Sequence, residues 1–369
     1  MDLSFLKPLY RHNGPYATVY ADLTRTTEDA AKAAELRWRA LRTDLEAQGA
    51  PAATLRAVER VIEEELAERR SEGLVVFAAD GEAVHVERLP GPPRAVQARV
   101  GPLPHVLPLL AERGERFPHM VAVVDRRGGE IDCYTAEGER RHIDVPGDEQ
   151  YPVRKVKGGD WNQSRFQRSA EEVWKSNAKK VGREVDRAAR RCHAQAVVVA
   201  GDVRARNAVL EEISEGVREY TVEYDRHSPG DGELEAELAR ILELKAAEHV
   251  FGVAERFERE LAHGERAVAG LPATVEAVRR GQVEALLLDE DPESPARLWV
   301  GPDPVQVAAS AEELRRLGVD EPVEERADAA LVRAVAATDG ELVVLPADSP
   351  DAQLGVGAVL RYADAATVH

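Results

Sequence analysis

The sequence predicts a mixed α/β (α+β) protein built from three small domains. Strand-like and helix-like stretches alternate along most of the chain, and 369 residues exceed what one hydrophobic core usually serves. No apolar run approaches the roughly 18 residues that a membrane span requires. The start, MDLSFLKPLYRHNG, lacks the extended apolar region of a secretory signal. We therefore expect a cytoplasmic protein.

The first predicted domain covers residues 1–118. Its β-branched and aromatic opening, YATVYADL, is typical of a strand, and Asp80-Gly81 between two apolar runs is a strong hairpin signal. Its predicted elements are a strand at 16–23, helices at about 27–48 and 51–70, a hairpin around Asp80-Gly81 and a short helix near 104–113.

The second predicted domain covers residues 119–268. The run AQAVVVAGD is continuously apolar, which is typical of a strand buried on both faces. The predicted elements are a small antiparallel sheet in 119–145, a long helix at about 164–193, a strand at 194–202, a helix at 203–213, a strand at 218–224 and a helix at about 232–262.

The third predicted domain, residues 269–369, repeats a helix-then-strand order. A helix from Thr274 to Arg280 ends at Gly281 and precedes the buried strand in VEALLLDED. Two further helical stretches and the strand ELVVLPA follow, and GVGAVLRYAD supplies a terminal strand. This order favours a small α/β sandwich.

One segment of this acidic chain is strongly basic. The formal net charge is −18, yet residues 154–191 contain twelve basic and five acidic residues, so the segment is +7 and the remainder is −25. Five of the eight lysines lie there. The positive charge is therefore a local feature rather than a background property.

Within that segment, five basic residues recur every fourth position and form one stripe along the predicted helix. The helix also has an apolar face, formed by Phe166, Ala170, Val173, Val181, Ala188 and Cys192. A solvated charged face is one interpretation of the stripe; a surface that binds a polyanion is the other, which the self-repulsion of five like charges favours. The predicted RNA-binding residues are Arg154, Lys155, Lys157, Arg165, Arg168, Lys175, Lys179, Arg183, Arg187 and Arg191.

Folded RNA is the polyanion that this pattern favours. No helix-turn-helix pattern with base-reading residues is present, and the acidic remainder would repel extended DNA. A narrow basic projection on an acidic body is suited to insertion into a crevice of folded RNA. We expect no DNA and no membrane among the partners.

The residues around the basic helix resemble the archaeal and eukaryotic class-I release factor and Pelota superfamily. In that family a Gly-Gly-Gln loop precedes a basic helix that opens with Gln-Ser, Arg-Phe and Arg. Here Gly158-Gly159 is followed by QSRFQR at 163–168. The stretch VEAVRRGQVEALLLDED and the ending GVGAVLRYAD look like the last domain of the family. The resemblance covers about 119–369, and 1–118 by position only. Within the superfamily, the sequence is similar to the actinobacterial branch related to the ribosome hibernation factor Balon.

The resemblance implies a three-domain release-factor-like architecture and occupancy of the A site of idle or stalled ribosomes. The first domain would lie near the decoding centre and the middle domain near the peptidyl transferase centre. The last domain would meet a translational GTPase such as EF-Tu. The loop expected to contact ribosomal RNA consists of Gly158, Gly159, Asp160, Trp161, Asn162, Gln163 and Ser164.

This chain departs from the family where the chemistry would occur. Asp160 stands where the family has the glutamine that positions water, and an anionic side chain would oppose an oxyanion that develops on an ester. We therefore expect a non-enzymatic factor. The first domain also lacks the stretch Asn-Ile-Lys-Ser with which the family reads stop codons. The alternatives are a peptidyl-tRNA hydrolase that uses Gln163 as its catalytic residue, and a general RNA-binding protein without ribosome specificity.

The remaining chemistry-bearing residues predict no cofactor or metal. Cys133 and Cys192 lie in no CxxC pair and are expected to be inert core residues, and the histidines lack ligand spacing. Trp161, in a polar stretch, is open to two interpretations: it stacks on a base, or it folds back and packs on its own loop.

Overall fold

The computed structural model describes residues 1–12, 14–25, 30–68, 71–125, 127–147, 160–224, 231–289, 294–345 and 355–363. It has the mixed α and β fold that the sequence predicts. The described helices are α1 (Ala30–Ala47), α2 (Ala52–Glu68), α3 (Leu107–Arg113), α4 (Asp160–Arg191), α5 (Val203–Glu212), α6 (Glu215–Arg218), α7 (Asp231–His263), α8 (Leu271–Arg279), α9 (Ala311–Arg316) and α10 (Ala327–Ala337). Within the described residues, no helix is both long and apolar enough to cross a membrane.

The strands form four sheets in the described part of the chain. They are β1 (Tyr16–Asp22), β2 (Gly73–Ala79), β3 (Glu82–Leu89), β4 (Gln97–Gly101), β5 (His119–Asp125), β6 (Gly128–Tyr134), β7 (Arg140–Pro146), β8 (Ala196–Gly201), β9 (Thr221–Glu223), β10 (Ala267–Ala269), β11 (Val283–Asp289), β12 (Arg297–Val300), β13 (Val307–Ala308), β14 (Val323–Arg326), β15 (Glu341–Leu345) and β16 (Val356–Leu360).

The chain divides into two compact units. The first comprises Met1–Gly114 and His249–His369, and the second comprises Glu115–Glu248. The two segments of the first unit share one hydrophobic core, to which both contribute fully buried side chains. The division into three domains at 118 and 268 stays a prediction.

The N-terminal sheet of the first unit has the strand order β3-β2-β1-β4 and is antiparallel throughout. One face packs on α1 and α2, where Trp38, Leu45 and Ile62 are buried. The predicted hairpin is confirmed: Asp80 and Gly81 connect β2 to β3, and both have the positive φ that a tight two-residue turn requires. The short edge strand β4 was not predicted.

The C-terminal segment of the first unit contains a second sheet, of order β10-β16-β11-β15. β11 and β15 are parallel, and the predicted terminal strand β16 lies antiparallel between β10 and β11. Val253 and Phe257 of α7 pack on this sheet. A small sheet of order β13-β12-β14 was not predicted, because strands of two to four residues are too short to show alternation.

The second unit contains one five-stranded sheet of order β7-β6-β5-β8-β9. The predicted antiparallel strands β5 to β7 continue, through the parallel pairs β5–β8 and β8–β9, into one mixed sheet. β8 is fully buried, as its apolar run predicts. The predicted strand at 218–224 is correct only over Thr221–Glu223, because Glu215–Arg218 forms the short helix α6.

Candidate nucleic-acid interface

The long helix α4 packs on the sheet of the second unit through a narrow apolar face. Val181, Val185 and Ala188 are fully or almost fully buried, at the three- and four-residue spacing of a helix face. The prediction is confirmed for Val181 and Ala188, while Val173 and Cys192 are only half-buried. The side chains of Phe166 and Ala170 lie outside the described residues.

Gly182 brings α4 unusually close to α5. A Cβ atom at Gly182 would stand 2.8 Å from Cβ of Glu212 and 3.2 Å from the carbonyl oxygen of Val209. The absence of a side chain therefore permits the approach of the two helices. This contact orients the opposite face of α4 outward.

The outward face of α4 carries the basic stripe that the spacing predicts. All five side chains are exposed: Lys175, Lys179, Arg183, Arg187 and Arg191. Lys180 and Arg190 widen the exposed basic surface. We call this set of seven residues the basic stripe. The alignment of the cationic groups is thus observed, and their contact with RNA stays a prediction.

Acidic side chains screen part of the basic stripe. Glu184 contacts Arg187 at 2.5 Å and Arg191 at 3.2 Å, and Asp186 contacts Arg190 at 3.6 Å. The sequence indicated only the last of these three pairs. Exposed ion pairs of this kind contribute little stability, about 0–1 kcal/mol each. Their main effect is to lower the positive potential near the C-terminal end of α4.

Lys175 and Arg183 are the least screened cations of the stripe. Lys179 is 3.7 Å from Glu212 of α5, a pair that sequence spacing within α4 does not reveal. Lys175 and Arg183 are exposed and form no ion pair with the residues whose side chains the structure describes. These two residues are therefore the cations best placed to contact an anionic partner.

The structure changes the boundary between the predicted loop and the helix. α4 begins at Asp160 rather than near 164, so Asp160–Ser164 lie in its first turns and Trp161 does not lie in a loop. Gly159 is the last strong helix breaker before these residues, so a helix extends back to that point. The predicted binding residues Arg165 and Arg168 also lie on α4, and the side chains from Asp160 to Glu171 lie outside the described residues.

The remaining predicted residues of the RNA-binding set and of the loop lie in a segment that the structure does not describe. They are Arg154, Lys155, Lys157, Gly158 and Gly159. The described chain enters this segment at Gly147, whose N–H donates to the carbonyl oxygen of Arg127 at 2.6 Å. A Cβ atom there would stand 2.5 Å from the amide of Asn177, which is buried on α4. Sequence analysis missed this close approach of Gly147 to α4.

The five-stranded sheet of the second unit carries several acidic side chains on the face that points away from α4. Asp132 accepts two hydrogen bonds of 2.8 Å from Arg140 and contacts Nδ1 of His142 at 2.8 Å. Burial raises the pKa of Asp132, but hydrogen bonds from Arg140 and His142 outweigh it and lower the pKa overall. Register places Glu130 and Asp144 on that same face. These carboxylates disfavour RNA on that face, and the interface on the α4 side stays a prediction.

The part of the chain that contains α4 matches a known protein family. Residues 118–263 match the family model of bacterial archaeo-eukaryotic release factor family 2, a range that includes α4 and the whole sheet of the second unit. The chain is also 31% identical to the uncharacterized protein Rv2629 of Mycobacterium tuberculosis, over 97% of this chain and 96% of that protein.

The solved structures that match this chain include two archaeal proteins. The archaeal translation termination factor aRF1 is 17% identical, covers 97% of this chain and 96% of its own, and has a TM-score of 0.26. Pelota of Archaeoglobus fulgidus is 16% identical, with 98% and 92% coverage and a TM-score of 0.35. With a relative that is 31% identical over almost its whole length and a family match over residues 118–263, the chain belongs to bacterial archaeo-eukaryotic release factor family 2.

Proposed function

We propose that this protein is a ribosome-binding factor that occupies the A site of idle or stalled ribosomes. The observation that carries the proposal is the exposed basic stripe on α4, within the part of the chain that matches a release factor family. A helix of about 30 residues spans roughly 45 Å, long enough to follow a folded RNA backbone. The proposal assigns α4 and the preceding Gly-Gly segment to ribosomal RNA near the peptidyl transferase centre.

The charge distribution supports insertion into RNA rather than binding along an extended duplex. The segment 154–191 is +7 while the rest of the chain is −25. Phosphates therefore attract this segment and repel the acidic remainder of the chain at larger separation. The described cations Lys175 and Arg183 have no acidic partner that competes with a phosphate among the described side chains.

The proposal also includes the partners and the arrangement that the resemblance implies. The predicted domain at 1–118 would lie towards the decoding centre, and that at 269–369 would meet a translational GTPase such as EF-Tu. Hibernation, as in the factor Balon, is the specific role that the proposal favours. Its support is the resemblance in the order of the motifs along the chain.

A charge-reversal experiment tests the interface. Lys175, Lys179 and Arg183 are changed together to Glu, and co-sedimentation with vacant 70S ribosomes is measured at increasing salt. Wild-type binding is expected to weaken steeply with salt because phosphate contacts release counterions, and the triple variant is expected not to pellet. A matched control reverses three exposed arginines of the first unit: Arg259, Arg297 and Arg315.

Comparison of the two variants distinguishes the effect of losing the stripe from the effect of changing the net charge. Both variants change the formal charge by the same amount, so loss of binding only in the α4 variant supports the proposal. Equal binding by a folded α4 variant contradicts it. Equal binding of the wild type to unrelated folded RNA would favour the general RNA-binding alternative.

A second experiment tests the absence of hydrolysis. Peptide release from ribosome-bound peptidyl-tRNA is compared for the wild type, Gln163→Ala and Asp160→Gln. We expect no release by the wild type, because a carboxylate at Asp160 opposes the negative charge that develops on the ester; loss of a single oxyanion donor already costs about 10²–10³ in rate. Release by the wild type that Gln163→Ala removes would replace this proposal with the hydrolase.

A further inference from the structure

Strand β7 forms one edge of the five-stranded sheet in the second unit. It is seven residues long, and all of its side chains are exposed or half-buried. An edge strand presents unpaired backbone N–H and C=O groups, to which a strand of another chain can add. The outer side of β7 is therefore a candidate binding surface.

Two sheet edges of the first unit are covered by local contacts. Gln48 takes the place of a strand beside β4: its Nε2 donates to the carbonyl oxygen of Ala98 at 2.9 Å, and its Oε1 accepts the N–H of Val100 at 2.8 Å. The amine and the carbonyl oxygen of Met1 bond to the backbone of Leu342 at the edge of β15. Among the described residues, no such group covers the outer side of β7.

Hydrogen bonds at both ends of the β6–β7 hairpin show which residues of β7 point their backbone groups outward. Thr135 donates its N–H to the carbonyl oxygen of Glu139 at 3.0 Å, and Gly147 donates to that of Arg127 at 2.6 Å. Hydrogen-bonded and non-bonded pairs alternate along an antiparallel ladder, and both observed pairs consist of odd-numbered residues. The odd-numbered residues of β7 therefore bond to β6, and the even-numbered residues face outward.

Three outward-facing residues offer both a backbone donor and a backbone acceptor: Arg140, His142 and Asp144. Within the part of the chain that the structure describes, no group bonds to their backbone on that side. The next even-numbered residue, Pro146, has no N–H, so the ladder can extend only over the other three. A partner strand must therefore be centred near His142.

We propose that β7 pairs antiparallel with β7 of a second copy of this chain, about a two-fold axis at His142. In this register Arg140 of each copy lies opposite Asp144 of the other. Residues directly opposite each other in an antiparallel pair carry their side chains on the same face, where opposite charges stabilise the pairing. The strand is thus complementary in charge to itself, as a two-fold symmetric interface requires.

The neighbouring registers are less favourable. Pairing centred on Arg141 places this residue opposite Arg141 of the second copy, and like charges directly opposite each other destabilise a sheet. Pairing centred on Ile143 places Arg140 opposite Pro146, which lacks the N–H that the ladder needs at that position. The register centred on His142 is therefore the one that satisfies both the charges and the backbone.

The side chain of Arg140 can contact carboxylates of both copies. Its Nε and Nη2 donate to Asp132 of its own chain at 2.8 Å, which leaves Nη1 for Asp144 of the second copy. His142, at the two-fold axis, contacts Asp132 of its own chain at 2.8 Å, so each of the two imidazoles has a carboxylate beside it. The pairing concerns the second unit alone and does not rest on ribosome binding.

Sedimentation velocity of the full-length chain tests the pairing. The wild type is expected to form a dimer that dissociates over about a hundredfold dilution, because pairing over so few residues is weak. His142→Pro removes an outward N–H without removing a bond to β6, and it should leave only monomer. Circular dichroism checks that this variant is folded. A wild type that stays monomeric at every concentration overturns the proposal, and a strand of a different protein at this edge would do the same.

Charge variants test the register even if His142→Pro fails to fold. Asp144→Arg and Arg140→Asp each place like charges opposite each other at both ends of the pairing, and each alone should weaken the dimer at least about tenfold. A mixture of the two variants restores an Arg–Asp pair at each end and should form a heterodimer. Glu219→Arg, at an exposed position of the second unit, controls for net charge and should dimerise like the wild type. A mixture that stays monomeric, or a dimer that survives either variant, contradicts the proposal.

Discussion

The buried carboxylate of Glu325 accepts the backbone N–H of Leu103 at 3.1 Å, and so joins the C-terminal segment of the first unit to its N-terminal segment. The same carboxylate accepts the N–H of Arg326 at 2.7 Å and contacts Arg99 at 3.3 Å. Sequence patterns do not reveal this connection, because the partners are more than 200 positions apart. It nevertheless satisfies two backbone donors inside a shared core.

Replacement of Glu325 by Ala is expected to destabilise the first unit by about 3 kcal/mol, because each unsatisfied buried N–H costs about 1–3 kcal/mol. Glu325→Gln keeps one acceptor oxygen and should lose about half as much. The free energy of unfolding in urea measures both effects. The neighbouring exposed Glu324→Ala is the control and should change it by less than about 0.5 kcal/mol. Equal effects at the two positions would contradict the assigned role.

Asp328 predicts a specific pH dependence of stability. Burial raises its pKa, but contacts with His105 at 3.5 Å and Arg326 at 2.9 Å outweigh burial, and the net pKa lies well below the usual range. A depressed folded-state pKa contributes stability above the unfolded value of about 3.9, and this is lost only as pH falls through the lower folded value.

At neutral pH, Asp328→Asn should therefore lower the free energy of unfolding by about 3–5 kcal/mol, since it removes the carboxylate that accepts hydrogen bonds from the buried Arg326. The difference between the two proteins should stay constant down to about pH 4 and shrink in stronger acid. Urea unfolding at a series of pH values measures it. A difference that disappears near neutral pH would be inconsistent with the depressed pKa.

The same substitution at two helical glycines should have opposite effects. Gly182→Ala places a methyl group 2.8 Å from Glu212 and should destabilise the second unit by about 1–3 kcal/mol. Gly252→Ala on α7 meets no atom within 4 Å and should be neutral or stabilising by up to about 1 kcal/mol, because alanine is the better helix former. Thermal unfolding of both variants checks the prediction, and a tolerated Gly182→Ala would refute the close contact of α4 and α5.

Native alkylation should distinguish the two cysteines. Iodoacetamide is expected to modify Cys192 well before Cys133, because the thiolate is the nucleophile and Cys133 is buried with a pKa of about 12. A higher pH increases the thiolate fraction, yet Cys133 should remain largely protonated up to about pH 10. Peptide mass spectrometry over time measures both rates; similar rates in the folded protein would contradict the assigned burial. Unfolding in denaturant is the control and should abolish the difference.

Neutralisation of Glu184 should strengthen ribosome binding if the proposed interface is correct. Glu184→Gln releases Arg187 and Arg191 from their acidic partner, which raises the positive potential of the stripe. We expect affinity for vacant ribosomes to rise roughly two- to fivefold at low salt and less at high salt. Glu284→Gln is the control, since Glu284 pairs with Arg256 at 2.8 Å in the first unit. Unchanged or weaker binding by Glu184→Gln would count against the interface.

The sequence by itself determined the features whose causes are local. The hairpin at Asp80-Gly81 depends on two adjacent residues that adopt positive φ, and β8 follows from an uninterrupted apolar run. The alignment of five cations of the basic stripe follows from spacing along one helix, because residues four positions apart share a face wherever that helix packs. These predictions required no knowledge of distant residues.

Only the tertiary structure decided which distant residues meet. Asp186 on α4 accepts hydrogen bonds from the N–H and hydroxyl of Ser214, which immediately precedes α6. The sequence pattern predicted no helix at α6. Glu212 of α5 forms an ion pair with Lys179 of α4. Such contacts depend on how a helix is placed on a sheet. That placement is set by close packing, as at Gly182, over the whole second unit rather than by the period of any one segment.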